Sequence, residues 1–348
     1  MIPIQNIYYM LSYAFQVLHE QGYKNIMTEH FNNVAELCAA ILSKGVSVQL
    51  KRGLRREYIE QTEPLSALRG RIEISESIKT RSMLKKQLFC SYDDYSVDSY
   101  MNRIIKTTME LLLHADISKA RKKELRKLLV FLGDVELLDI HTINWNVQYN
   151  RNNQTYRMLI SICYLVVKGL LQTNSDGTTR LMDFLDEQRM CRLYERFILE
   201  YYRKEFPQLS ASASQIPWAV DDGMRAMLPV MQTDIMLTYE EKILIIDAKY
   251  YSHTTQAQYD THTLHSNNLY QVFTYVKNKE SELAEVPHAV SGMLLYARTD
   301  EEVQPNNTYQ LSGNKISVKS LDLNCDFTKV SAQLNAIVNE FLGEKGND

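Results

Sequence analysis

The sequence has no paired cysteines. Its five, Cys38, Cys90, Cys163, Cys191 and Cys325, are scattered over 348 residues and never form a CxxC pair. That pattern excludes a cysteine zinc site and suits a reducing cytoplasm better than a disulfide framework. Proline is scarce early: only Pro3 and Pro64 precede residue 200, and five more follow from Pro207. No apolar run is long enough to span a bilayer. The longest, residues 158–167, is interrupted by Ser161 and stopped by Lys168. The apolar start MIPIQNIYYMLSYAF has no Lys or Arg before Lys24, so the basic region of a signal peptide is missing. Neither GxGxxG nor GxxxxGK[ST] occurs. This excludes dinucleotide binding by the Rossmann route and assigns any nucleotide hydrolysis to another chain. The expectation is a protein of the cytoplasm without a membrane partner.

Charge of one sign is also lacking. Lys and Arg number 39 against 42 Asp and Glu, a net of −3. Nonspecific phosphate binding on its own would demand a basic total. The total is misleading, because residues 51–130 hold 18 Lys and Arg against 11 Asp and Glu, and the remainder is acidic. A nucleic-acid substrate is therefore not excluded. Hydrophobic residues at 45% and charged residues at 23% exclude wholesale disorder.

Apolar spacing predicts helices over 1–43, 99–114, 119–132 and 156–171. Between 45 and 75, VSVQL, REYIEQ and RIEIS alternate polar and apolar, which predicts short strands or hairpins with turns at Gly53 and Gly70. NSDGTT, 174–179, reads as a linker. A long helix follows, roughly 181–206, with Met190, Leu193, Tyr194, Phe197, Ile198 and Tyr201 on one face. Then come a strand (MLPVMQTDIMLT), a short turn, a strand (ILIIDAKYY), a polar loop, a helix (NNLYQVFTYVKNK), a strand (AVSGMLLYA) and a final helix. The expected fold is α/β (α+β), in two domains: a mixed helix and hairpin domain over 1–175, and a domain with a central mixed sheet over 176–348.

One constellation carries chemistry. Asp247 and Lys249 alternate onto one face of the strand ILIIDAKYY. If the preceding turn centres on Glu240 and Glu241, paired positions sum to 481 and Asp234 lies opposite Asp247. Directly opposed like charges are destabilising, and a divalent cation between them removes the repulsion. Hard oxygen ligands suit Mg²⁺. Lys249 beside it would orient or help deprotonate a water, or neutralise charge on a phosphate. Gln271 and Tyr275, at i and i+4, share a helix face 22 residues beyond Lys249 and are supporting candidates. Glu195 and Glu200, on the preceding helix, are candidates for a third carboxylate. Solvated charges on a hairpin and an amphipathic helix with a core tyrosine are the plainer readings of each feature alone. His253, His262 and His265 lie in a polar loop without a common face or a cysteine, and a zinc site is not expected there.

The spacing D-x12-D-x-K resembles the PD-(D/E)xK nuclease superfamily, and the QxxxY helix resembles its RecB-like branch. Thr233 precedes Asp234 where that pattern has proline. The segments IPIQNIYYMLSYAF, LRGRIEIS, NRIIKTT, KILIIDAKYY and HSNNLYQ resemble the McrC family, the nuclease subunits of modification-dependent McrBC restriction systems. This resemblance implies a restriction-endonuclease-like C-terminal domain with Asp234 and Asp247 as metal ligands and Lys249 as catalytic lysine. It implies double-stranded DNA carrying modified cytosine as substrate. It also implies a McrB-like AAA+ GTPase hexamer as partner, binding the GTP, engaged by the N-terminal domain and stimulated by it. Lys51, Arg52, Arg55 and Arg56 are candidates for that engagement. Two other readings stand beside this one: a free-standing RecB-like repair nuclease, and a non-catalytic activator of a ring NTPase.

Overall fold

In the computed structural model, the chain is described over residues 2–15, 18, 23, 26, 29, 31, 33–149, 154–173, 187–251, 255–258 and 261–343. It divides into two compact units, one of Met1–Glu20 with Phe184–Asp348 and one of Gln21–Asp183. The linker expected at 174–179 lies outside the described residues. The first helix was expected in the N-terminal domain, and instead belongs to the unit built by the C-terminal half.

That helix, α1 (Ile4–Ala14), packs on the helix Glu187–Glu205 of its unit. Its buried Asn6 donates from Nδ2 to the carbonyls of Leu323 and Cys325, at 2.8 and 2.7 Å. Tyr9 stacks on Phe327 with ring centroids 4.2 Å apart. A buried amide must find partners or forfeit its desolvation cost, and Asn6 finds them only in the last quarter of the sequence. IPIQNIYYMLSYAF is a clasp within that unit.

The unit of residues 21–183 begins with α2 (Val34–Arg52), capped by the Asn33 side chain accepting from the Glu36 N–H at 2.8 Å. Its length corrects one expectation: VSVQL is helical. Leu42, Val46 and Gln49 are buried at helical spacing, and this burial outweighs the β-branched alternation. Lys51 and Arg52 therefore close a helix, where cations suit the dipole. They are not part of a hairpin. Gly53, at φ 92°, ends the helix in a conformation that favours glycine.

Next come β1 (Glu57–Leu65), β2 (Arg71–Ile72), α3 (Ile74–Lys79) and β3 (Leu88–Ser96). The order is β1-β3-β2, with β3 antiparallel to both. Gly70 sits where a Cβ would lie 2.3 Å from the Ser91 carbonyl oxygen, at φ 68°. Only glycine fits, which explains the centre of LRGRIEIS. The sheet is largely exposed, with Tyr58 74% and Leu84, beyond α3, 82% accessible.

Helices α4 (Tyr100–His114), α5 (Lys119–Leu129) and α6 (Gln154–Thr173) pack with α2 into a bundle. Asn102 is 1% exposed. It donates to the carbonyls of Arg55 and Val97 and accepts from the Tyr156 hydroxyl at 2.8 Å. The asparagine of NRIIKTT thus ties the entry of the sheet to two helices.

The other unit continues with α7 (Glu187–Glu205), β4 (Ser210–Ser212), β5 (Gln215–Ile216), β6 (Met231–Gln232), β7 (Ile235–Tyr239), β8 (Lys242–Lys249), β9 (Thr255–Gln258) and β10 (Thr261–Leu264). After these come α8 (Ser266–Glu282), β11 (Ala289–Ala297), β12 (Asn307–Leu311), β13 (Asn314–Leu321) and α9 (Phe327–Leu342). A six-stranded mixed sheet runs β12-β13-β11-β8-β7-β4. Strands β8, β11 and β13 are parallel to one another; β7, β4 and β12 run antiparallel to their neighbours. The expected mixed α/β architecture is present. The single strand expected over MLPVMQTDIMLT is instead two short ones broken at Thr233 and Asp234.

Helix α8 bridges β8 to β11 and lays Val272, Tyr275 and Val276 on Ile243, Ile245, Leu294, Ile316 and Val318. Gly292 permits this approach: a Cβ there would meet Ile316, Val276 and Val272 side chains at 2.8–3.0 Å. Ile243, Ile245, Asp247 and Lys249 share the face under α8, because side chains alternate. Among the described residues, no helix is long and apolar enough to cross a membrane.

Candidate active site

The hairpin β7–β8 fixes the site. It pairs Ile235 with Ile246 and Tyr239 with Lys242, the register in which positions sum to 481. Asp234 follows directly beyond the ladder, opposite Asp247. Its Oδ2 accepts from the Ala248 N–H at 2.9 Å, which pins it across the hairpin.

Asp247 is 1% exposed, within the buried run 243–248 of β8, whose other residues are apolar. Burial pushes its carboxyl pKa up. The Lys249 ammonium counters that, and Asp234 adds to the rise. Asp234 is raised too, chiefly by burial. Lys249 Nζ lies 3.1 Å from Asp247 Oδ1 and 2.9 Å from Oδ2. Burial alone would lower the lysine, but the two carboxylates outweigh it and raise its pKa. The pair is unsymmetrical because Asp247 is the deeper partner and faces a second carboxyl. A lysine whose pKa is raised rests as the ammonium, which suits an electrostatic role better than that of a resting general base.

A chain of hydrogen bonds holds the lysine. Its Nζ donates to Gln271 Oε1 at 3.4 Å; Gln271 Nε2 donates to the Tyr275 hydroxyl at 2.8 Å; that hydroxyl donates to the Gln232 carbonyl at 3.1 Å. The tyrosine proton is committed to a carbonyl, so the glutamine must offer its NH₂ to Tyr275 and its oxygen to Lys249. Four expected residues, Asp247, Lys249, Gln271 and Tyr275, thus join in one network, and Asp234 borders it.

The two α7 candidates separate. Burial, and after it the Asp234 charge, raises the Glu195 pKa, and Glu195 accepts from the Cys191 thiol at 3.0 Å. Glu200 instead pairs with Arg203 at 2.8 Å. Of the histidines, His253 and the side chain of His262 lie outside the described residues. His265 packs edge-on against Tyr251 at 5.5 Å. Sequence reasoning missed Asn268, which donates to the Tyr296 hydroxyl at 3.0 Å and accepts from the Tyr251 hydroxyl at 3.4 Å. Tyr296 stands in register with Lys249 on the neighbouring strand. The signal was the amide-rich HSNNLYQ.

The donor set fits a hard divalent cation. Asp247 Oδ2 is buried and accepts no hydrogen bond, although the ammonium is beside it. Asp234 spends one oxygen on the Ala248 N–H and also meets the Asp247 carboxyl. No three His, Cys, Asp or Glu side chains gather into a metal-holding group among the described residues. Two carboxylates with the remaining positions left to water or phosphate suit Mg²⁺ better than zinc.

A sequence model described as "McrBC 5-methylcytosine restriction system component" matches residues 5–297. The chain belongs to this McrBC family. It is also similar to a curated protein of Escherichia coli (strain K12), the "Type IV methyl-directed restriction enzyme EcoKMcrBC". The two are 30% identical over 347 residues, 98% of each chain. Among solved structures, it resembles a chain of the half-complex of Thermococcus gammatolerans McrB AAA+ hexamers with bound McrC. That match has a TM-score of 0.49 and 16% identity, covering 97% of this chain and 76% of that one. A chain of the T. gammatolerans McrBC complex matches with a TM-score of 0.40 and 20% identity over 58% of each.

Proposed function

We propose that the chain is the Mg²⁺-dependent endonuclease subunit of a modified-cytosine restriction complex, with its C-terminal unit a PD-(D/E)xK nuclease. The observation that carries this reading is the meeting of Asp234, Asp247 and Lys249 at the end of one hairpin, with the buried Asp247 carboxylate held between the Lys249 ammonium and a second carboxyl. Family membership supports the restriction role, and the methyl-directed enzyme of E. coli supports the substrate. Asp234 and Asp247 would hold the metal, with Glu195, whose carboxyl feels the Asp234 charge, as the candidate third carboxylate. Bound Mg²⁺ supplies Lewis acidity at a phosphoryl oxygen and lowers the pKa of its water. Lys249, fixed by Gln271 and Tyr275, neutralises negative charge as it builds on the phosphate. A charge held ready in a buried site needs no reorganisation at the moment of reaction.

The unit of residues 21–183 engages a McrB-like AAA+ GTPase hexamer in this reading, and GTP belongs to that partner. The exposed three-stranded sheet and helix α3 beside it, with Leu68, Ile72, Ile74 and Ile78 uncovered, are the surface offered. Arg55 is tied to Glu57 at 2.7 Å, which leaves Arg56 the freer of the two arginines before β1. The test is GTP hydrolysis by the partner with and without this chain. Hydrolysis is expected to rise on adding either the wild type or Lys249→Ala. No rise with either would remove the activator role.

A further inference from the structure

Helix α5 carries Lys119, Lys122, Lys123, Arg126 and Lys127 at spacing i, i+3, i+4, i+7 and i+8. At 100° per residue, these five fall on one arc of roughly 140°. The opposite side is anchored: Leu125 is fully buried, and Arg121 is tied to Glu29 and Glu124 at 2.7 Å each. α5 packs there on α2 and α4. Four of the five stripe residues are exposed and Lys122 is half-buried. Among the described residues, no ion pair or hydrogen bond engages any of the five side chains.

This stripe works against its own helix. It contains three like-charged i,i+4 pairs, which destabilise a helix. Lys119 and Lys122 sit in the first turn, where the macrodipole disfavours cations, and that turn has no acidic residue. An ordinary solvated face interleaves the two signs. The whole unit of residues 21–183 is basic as well, with 24 Lys and Arg against 18 Asp and Glu, although the chain is acidic overall.

We propose that the α5 stripe is a docking surface for the phosphate backbone of duplex DNA, outside the nuclease unit. The inference rests on the DNA reading above. Eight residue steps of helix span about 12 Å, and that length of duplex carries about seven phosphates. Five cations match this charge density without reading any base. A protein partner fits less well. Four of the five residues are lysine, which protein interfaces avoid, and no aromatic or aliphatic anchor lies between them; the exposed Val130 and Phe131 lie beyond the last of them. A membrane surface fits less well too, because the apolar side of α5 is already covered. The surface would hold the duplex during or after delivery to the nuclease and raise its local concentration there.

The test uses the full chain and a fluorescent 30-base-pair duplex without modified cytosine, with anisotropy followed across a salt titration. The triple variant Lys119→Ala, Lys123→Ala, Lys127→Ala keeps the helix, since alanine is the best helix former. It is expected to bind at least about tenfold more weakly near 0.1 M salt, and its log–log salt slope to shrink by about 2.7. The same positions changed to arginine should retain binding. Unchanged affinity and slope in the alanine variant would overturn the proposal. So would a wild type with no salt-dependent binding. The proposal also fails if the alanine variant binds DNA normally but no longer stimulates the partner's GTP hydrolysis, which would make the stripe a protein-docking face. A wild type that binds through the stripe but never cuts modified-cytosine DNA with its AAA+ partner, GTP and Mg²⁺ would sink the nuclease reading and leave this one standing.

Discussion

Lys249→Met is expected to abolish DNA cleavage and to make stability depend on metal. Methionine keeps most of the stem's volume but removes the charge. A positioned charge that stabilises a transition state is worth about 10²–10³ in rate, so cleavage should fall by at least that factor. Stability should change in parallel, because the lysine side chain is 12% exposed and its Asp247 partner 1%. Removing one member of a buried pair typically costs about 3–5 kcal/mol. Here, uptake of a proton by Asp247, whose pKa is already raised, offsets part of that cost. Mg²⁺ should restore stability by replacing the lost positive charge. Thermal melts with Mg²⁺ and with EDTA read the effect directly. A variant as stable as wild type in EDTA would mean that the ion pair is not what supports the buried Asp247.

Asp234→Asn is expected to do the reverse: to raise stability without metal and to lose cleavage. Asparagine still offers an oxygen to the Ala248 N–H, so the hairpin contact survives. What disappears is repulsion between two buried carboxylates. The sign follows from linkage. The folded pair holds a proton to a higher pH than the unfolded chain does, since both carboxyls are raised. Over the window above the ordinary aspartate value, the native state binds more protons, so stability falls as pH rises. The metal-free wild type should therefore gain stability on acidification from neutral toward about pH 4, relative to Asp234→Asn. Mg²⁺ needs the deprotonated pair, so its stabilising shift should be larger at about pH 8 than at about pH 6. A Mg²⁺ shift in Asp234→Asn equal to that of wild type would remove Asp234 from the metal site.

The site was legible in the sequence because its geometry is local. A two-residue turn fixes a hairpin register by parity, so Asp234 opposite Asp247 follows from counting. The i,i+4 helix spacing likewise gave Gln271 and Tyr275. The identity of the helix carboxylate was not legible. By helical spacing Glu200 flanks the apolar stripe and Glu195 lies farther round toward solvent, yet packing brings Glu195 near Asp234 while Arg203 takes Glu200. Long-range associations were hidden for a similar reason. Nothing in IPIQNIYYMLSYAF announces that Asn6 will bond to carbonyls more than 300 residues away. Strand β13, NKISVKSL, alternates polar and apolar like an edge hairpin, yet it is flanked by β11 and β12. Its partners come from distant sequence, and periodicity reports burial without naming the neighbour. VSVQL misled because β-branched residues in a helix tail mimic a short strand.

The segments that resemble the McrC family are now divided by physical role. Asn6, Gly70 and Asn102 build structure: a clasp, a close backbone approach and a buried junction. In the proposed function Asp247 and Lys249 carry the chemistry, and Gln271, which accepts from the lysine at 3.4 Å, positions it. Asn268 braces the two tyrosines beside it. The central claim is that one carboxylate pair and one lysine cut DNA delivered by a partner. The most direct measurement is cleavage of a plasmid carrying modified cytosine by this chain with its AAA+ partner, GTP and Mg²⁺, comparing wild type with Asp247→Ala. The account predicts double-strand breaks with wild type that vanish in EDTA. It predicts none with Asp247→Ala, although that variant still raises the partner's GTP hydrolysis. Cleavage by Asp247→Ala at the wild-type rate would contradict it.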